Sequence, residues 1–220
     1  MQIAVLNPNS SRKVTTSMND CLAPLIATTR HAIICDTLEE GPEGIETDQH
    51  VADVVPMVID YVRRTKADAF VIACFSDPGV QQARKVTDKP VFGIAESAYC
   101  AALVHGARFG VVSLGPSSIA RHLARIDGLG LTTRLAGDRS VDMTVAEAND
   151  VDAARAAVTR TGRALIHEDG AEVLILGCAG MGGQRQELQA ALGRVVIDPV
   201  QAAVANAISA LDLDYTRKGS

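Results

Sequence analysis

Two cysteines end two similar runs of sequence. Ala69-Phe70-Val71-Ile72-Ala73-Cys74 is an apolar, strand-like stretch closing on a thiol, and Val173-Leu174-Ile175-Leu176-Gly177-Cys178 is a second one, 104 positions later. Phe75-Ser76-Asp77-Pro78-Gly79 follows the first thiol and Ala179-Gly180-Met181-Gly182-Gly183 the second. Open α/β sheets bind ligands at the carboxyl ends of their strands. A thiol placed there lies beside exposed backbone N–H groups and the positive end of the next helix, a setting that lowers its pKa from about 8.5. Small residues after each cysteine let backbone amides approach a ligand closely. Asp77 and Pro78 read as the N-cap and first residue of a helix after Cys74.

Two thiols facing each other across a cleft fit one reaction in particular. One, as thiolate, removes a proton from a carbon acid; the other, as thiol, returns a proton to the opposite face. A single base tends to return the proton to the face it came from, so inversion of a stereocentre calls for the pair. A thiolate is a weak base for a carbon acid, and the enolate then needs preorganised N–H donors. Asn7, Ser76, Ser113 and the Ala179–Gly180 backbone are the candidates, from loops after the first and third strands of each half. Cys21, Cys35 and Cys100 fall inside helix- or strand-like segments without partners and read as structural.

The elements that must carry these groups repeat. The first half reads as strand Ile3–Leu6, helix Arg12–Thr28, strand His31–Asp36, a Gly/Pro/Glu-rich loop Thr37–Asp48, a helix reaching Lys66, strand Ala69–Cys74 and strand Pro90–Ile94. The second reads as strand Phe109–Leu114, a helix opened by Pro116, strand Leu131–Ala136, helix Asp152–His167, strand Val173–Cys178 and strand Val195–Ile197, with a helix from Pro199 to Leu211. Val5 matches Val112, Cys74 matches Cys178 and Val91 matches Val195. This β-α alternation predicts parallel sheets, and a period near 105 residues is too long for a solenoid. The fold class is α/β, two similar Rossmann-like lobes, each a short, mainly parallel sheet flanked by helices.

Composition narrows the partners. With 21 basic and 26 acidic side chains the net charge is −5, and no Lys/Arg-dense stretch offers a nucleic-acid surface. Aromatics are 3% of the chain, so the core is Val, Ile, Leu and Ala, as buried parallel strands prefer. Apolar runs fall far short of the roughly 20 residues of a membrane span, and no signal peptide is visible. Five irregularly spaced cysteines fit reduced thiols in a cytoplasm. No metal is expected, because the five histidines form no short ligand pair and the two focal cysteines no C-x-x-C knuckle. The G-x-G-x-x-G template, started at Gly180, fails at Arg185, so the glycines read as a backbone cradle for an anion or carbonyl.

The motifs Asn7-Pro8-Asn9-Ser10-Ser11, Cys74-Phe75-Ser76-Asp77-Pro78-Gly79 and Gly177-Cys178-Ala179-Gly180-Met181 together resemble the hydantoin/allantoin racemases of the aspartate/glutamate racemase superfamily. Pro90-Val91-Phe92-Gly93-Ile94-Ala95-Glu96 and the Val196-Ile197-Asp198 strand end fit as well. The resemblance implies a cofactor-independent racemase acting at C5 of 5-substituted hydantoins or allantoin, with Cys74 and Cys178 as acid and base. It also implies two pseudo-symmetric lobes with the site in the cleft between them. The C-terminal helix would return to the first lobe, giving residues 1–97 plus 200–220 and residues 98–199. The substrate-contact set is Asn7, Ile45, Phe75, Ser76, Asp77, Ser113, Ala179 and Gly180. The partner is a small molecule, and superfamily relatives are usually oligomers, so a homo-oligomer is expected.

Three competitors stand beside this reading. Aspartate and glutamate racemases follow their cysteines with Asn-Thr and Thr-Glu, where Phe75-Ser76 and Ala179-Gly180 stand here. Arylmalonate decarboxylases keep one cysteine. Maleate isomerases keep two and share an early Asn, and would use a cysteine as nucleophile. A two-lobed binding protein without turnover is the alternative from another class. One departure from the pattern is Ser113-Leu114-Gly115-Pro116-Ser117-Ser118, with Arg121 beyond, in place of a Thr-rich turn with a nearby Arg.

Overall fold

Both faces of the central strands are apolar, and each face has its own cover. In the computed structural model, which describes residues 1–215, β1 (Gln2–Asn7) turns Ile3 and Val5 to one side and Ala4 and Leu6 to the other. β3 (Ala69–Ile72) splits in the same way, with Val71 against Phe70 and Ile72. With β2 (Ala32–Thr37) and β4 (Val91–Gly93) they form a parallel sheet in the order β2-β1-β3-β4. A second parallel sheet follows, β6-β5-β7-β8, from β5 (Phe109–Ser113), β6 (Leu135–Ser140), β7 (Val173–Leu176) and β8 (Val195–Ile197).

The outer faces are covered separately. Helices α2 (Asp48–Arg64) and α3 (Val80–Ala83) close the first sheet through Val54, Val58 and Val80. On the second sheet this falls to α6 (Val145–Ala148), α7 (Val151–His167) and α8 (Arg185–Leu192), through Ala154, Val158, Leu165 and Leu188. The inner faces share one core. Val5 and Val71 of one sheet and Val111 and Ile175 of the other belong to it. So do Val14, Met18 and Leu22 of α1 (Arg12–Ile26), Ala95, Ala98 and Tyr99 of α4 (Ile94–Ala102), Ile126 of α5 (Pro116–Gly128), and Ala203, Val204 and Ala207 of α9 (Pro199–Asp212). Alanines on α4 and α9 let these two helices pack closely against each other, and α9 also lies on β1, β3 and β4. Polar caps start the helices where the sequence leads one to expect them. Ser11 accepts from Val14 N, Thr47 from His50 N and Asp150 from Ala153 N.

Two local expectations are corrected. The strand predicted over Leu131–Ala136 begins only at Leu135, because Thr132–Arg134 form a 3-10 turn. Arg134 pins that turn by donating to the carbonyls of Gly106 and Ala107. β6 is an edge strand held by backbone pairing to β5, and all its residues are half-buried, so no apolar pattern marks its start. Asp77 is not the cap of the helix after Cys74. That helix is the short α3, entered through Gly79 at φ +73, and the Asp77 carboxylate instead accepts from Ala95 N and Glu96 N at the start of α4.

Candidate active site

Cys74 lies two residues beyond the end of β3, and Cys178 two beyond the end of β7. Because the sheets are equivalent and face each other, these loops meet in one hollow that both cysteines line. About 440 Å³ of atom-free space, open solvent at the mouth included, lies among its lining residues. Cys178 Sγ receives the backbone N–H of Gly180, two residues further on, over 3.4 Å, and the Ser76 N–H stands at the equivalent place after Cys74, where it favours the thiolate. The Cys178 loop can sit this close because residue 177 is glycine. A Cβ there would lie 2.8 Å from the Val112 carbonyl oxygen on β5.

The walls come from both lobes. Asn9, Val14 and Ile45 line the hollow from the first. Leu114, Ser118, Arg121, His122 and Val145 line it from the second. The loop bearing Ile45 is fastened across the cleft. Ser117 Oγ donates to the Glu46 carbonyl over 3.0 Å, Arg121 Nη1 to Asp48 Oδ1 over 2.7 Å, and Val145 N to Glu46 Oε1 over 2.9 Å. Arg121 Nε also reaches Ser76 Oγ over 3.4 Å, so one guanidinium touches the Ile45 loop and the Cys74 loop.

Of the residues singled out from the sequence, Cys74, Cys178, Ile45, Phe75, Ser76 and Ala179 line the hollow; Asn7, Asp77, Ser113 and Gly180 do not. Asn7 is fully buried, and its Nδ2 donates to Asn9 Oδ1, the Ser11 carbonyl and Thr15 Oγ1. It shapes the turn that presents Asn9. Ser113 Oγ donates to Asp138 and contacts His122 Nδ1, which also lies 2.9 Å from Asp138 Oδ2. The His122 and Asp138 side chains are both 1% exposed, and the ring stands edge-on to Phe75 with centroids 5.0 Å apart. This buried cluster braces the residue next to Cys74. Sequence reasoning missed Asn9, Glu46, His122 and Val145. The spacing of Ser118, Arg121, His122 and Arg125 puts all four on one face of α5 and could have pointed to that helix.

Burial governs the electrostatics. It pushes the Cys74 thiol up to about 11, while the Ser76 N–H and the Arg121 guanidinium pull the other way and the Asp77 carboxylate adds to the rise. The Cys178 thiol is pushed up to about 12, again mainly by burial, with the Gly180 N–H opposing and Cys74 and Glu46 adding. The lowering expected for a thiol beside a helix start is therefore present and outweighed. Burial likewise lifts the Asp77 carboxyl to about 7, against the two N–H groups it accepts. Among the other thiols, Cys21 and Cys35 are half-buried with raised pKa values, and Cys100 is exposed on α4. Among the described residues no three His, Cys, Asp or Glu side chains are placed to hold a metal ion, and no helix is long and apolar enough to cross a membrane.

Two thiols from equivalent loops thus line one hollow, with apolar and polar walls from both lobes. Proteins of known kind share the whole arrangement of the chain. A hydantoin racemase from Paenarthrobacter aurescens is 38% identical over 98% of this chain and 93% of its own. One from Pseudomonas sp. strain NS671 is 36% identical over 97% and 87%. The crystal structure of allantoin racemase from Pseudomonas fluorescens superimposes with a TM-score of 0.93 at 29% identity, covering 99% of this chain and 94% of that one. The family described as Asp/Glu/Hydantoin racemase matches residues 3–207, and the chain belongs to that family.

Proposed function

We propose that the protein is a cofactor-independent racemase that inverts C5 of 5-substituted hydantoins or of allantoin, with Cys74 and Cys178 as its two acid/base groups. One observation carries the reading: two thiols, each on the loop after the third strand of its own sheet, line one hollow. The hydantoin and allantoin racemases to which the chain is similar supply the substrate class.

The chemistry follows from the surroundings of each sulfur. The thiols oppose each other's ionisation, so the working state holds one thiolate and one thiol. Arg121 favours the thiolate at Cys74. That thiolate takes the C5 proton of one enantiomer, and the electron pair moves into the adjacent carbonyl. The Cys178 thiol delivers its proton to the opposite face, leaving Cys178 as the thiolate. Catalysis of the other enantiomer runs in reverse. Ser76 Oγ and the backbone N–H groups of the two cysteine loops are the donors for the enolate oxygen. Ile45, Leu114 and Val145 form the apolar wall for the C5 substituent.

The test uses single enantiomers of several 5-substituted hydantoins and of allantoin in deuterium oxide, followed by optical rotation and by C5 exchange. Racemisation above the buffer rate is expected for at least one, and its absence from the whole panel refutes the activity. Cys74→Ser and Cys178→Ser should each abolish racemisation and each keep exchange with one enantiomer only, because the remaining thiol works from its own face. Racemisation that survives either change removes the two-base assignment.

A further inference from the structure

The two cysteine loops pack against carboxylates that occupy equivalent places but come from opposite directions; Asp77 ties its loop to a helix start by hydrogen bonds, and Asp198 meets its loop by close packing alone. In the first lobe the carboxylate is Asp77, on the cysteine loop. It accepts from Ala95 N and Glu96 N, both over 2.9 Å, at the second and third positions of α4. The cap position of α4 itself is Gly93, where a Cβ would lie 2.3 Å from the Asp77 carboxyl carbon. In the second lobe the carboxylate is Asp198, at the cap position of α9. It accepts from Val200 N over 2.7 Å and Gln201 N over 2.9 Å, again the second and third positions of the helix. Opposite it, on the cysteine loop, stands Gly182, where a Cβ would lie 2.2 Å from Asp198 Oδ2. Asp77 and Gly182, Gly93 and Asp198, Ala95 and Val200, and Glu96 and Gln201 are each separated by 105 positions. One carboxylate and one glycine have exchanged places between the lobes, around the same pair of helix N–H groups.

From this transposition we infer that Asp77 and Asp198 are positioning residues. Each fills the gap between a cysteine loop and the helix start beneath it, and so fixes the loop whose N–H groups face the sulfur. The loop and the cap are fitted to one another sterically: each lobe has room for one carboxylate and pairs it with a residue lacking a side chain. Both carboxylates are buried, Asp77 at 8% and Asp198 at 3% exposure, so their shape and hydrogen bonds act without dilution by solvent. The consequence for catalysis rests on the two-cysteine reading above, because the loops matter for turnover only if their thiols do.

The first lobe is the place to test it, since its backbone tolerates the exchange. Asp77 has φ +47, which glycine adopts freely, and Gly93 has φ −90 and ψ 146, close to the φ −82 and ψ 122 of Asp198. In the second lobe a side chain at 182 would also meet Cys21 Sγ. D77G is expected to lower kcat about ten- to hundredfold with little change in KM, the scale of a small misplacement of a reacting group. G93D, with two carboxylates in one space, is expected to lower the melting temperature most. The double variant D77G/G93D places a carboxylate as the second lobe does, and should recover kcat to within about threefold and most of the melting temperature. A double variant no better than D77G in either measurement overturns the inference.

A second arm does not depend on turnover. The groups facing the Asp77 carboxylate are Arg125, Glu96 and Tyr99, and its charge raises the Cys74 thiol. D77N removes that charge while leaving an acceptor. At pH 9, alkylation of Cys74 by iodoacetamide, located by peptide mass, should be about threefold or more faster than in the unsubstituted protein, with Cys178 unchanged. Equal Cys74 rates overturn the placement of Asp77 against the loop, even if the cysteine variants show that the two-thiol mechanism is wrong.

Discussion

In the ligand-free protein the Cys74 thiol should alkylate as a thiol of very high pKa, with a slope that persists far above neutrality. Its pKa of about 11 leaves a thiolate fraction of roughly one in a thousand at pH 8, where an ordinary thiol of pKa about 8.5 is about a quarter ionised. The rarer thiolate is the better nucleophile, with a Brønsted coefficient of about 0.45, which returns roughly a factor of ten. Net alkylation by iodoacetamide at pH 8 should then be about twentyfold slower than for free cysteine. Obstructed access adds to that figure but cannot change the slope. The rate should rise close to tenfold per pH unit from pH 7 to 10, whereas free cysteine levels off near its own pKa. Rates are read by peptide mass after timed quenching, with Cys100 resolved on its own peptide. A Cys74 rate that levels off below pH 9 refutes the reasoning, because Arg121 and the Ser76 N–H would then outweigh burial. Forming the thiolate at pH 8 costs about 4 kcal/mol on this account, which bound substrate must offset.

The loop latch and the buried pair behind Phe75 give two further expectations. Arg121→Ala removes the bonds to Asp48, Ser76 and the Glu46 carbonyl; kcat/KM should fall about tenfold with Tm moving only a few degrees, since Asp48 is exposed and the other two bonds are long. A change in Tm without a change in kcat/KM would contradict its place at the site. Asp138→Ala leaves Ser113 and His122 without their shared acceptor in a site 1% exposed, and should cost about 3 kcal/mol in denaturant unfolding. A loss below about 1 kcal/mol would show that water or a rearranged His122 satisfies the cluster.

The strands and the thiols were legible because their signals are local. Continuous aliphatic runs mark strands covered on both faces, and two of those runs happen to end in cysteine. The 104-residue spacing of Cys74 and Cys178 then carries the pseudo-symmetry. What could not be read depends on meetings between distant segments. Glu46 reaches Val145 across 99 positions, and Arg121 reaches Asp48 across 73. Asn7 and Asn9 are two polar residues in one turn, and only the fold decides which is spent on the turn and which faces the hollow. Asp77 looked like a cap for the nearest helix, because a cap serving a helix 18 positions away leaves no mark in the intervening sequence. The start of β6 carries no mark in the sequence, because an edge strand held by its backbone need not alternate apolar side chains.

The return of α9 has a bearing on how the chain matures. The first sheet's inner face is complete only when Ala203, Val204 and Ala207 arrive, and the ribosome delivers them after the entire second lobe. An emerging N-terminal half has α1 and α4 on that side but lacks α9 until late in synthesis, and incompletely covered aliphatic strands are the condition under which partly made chains aggregate or recruit chaperones. The last described helix contributes to a core that both sheets share, so its arrival bears on both at once.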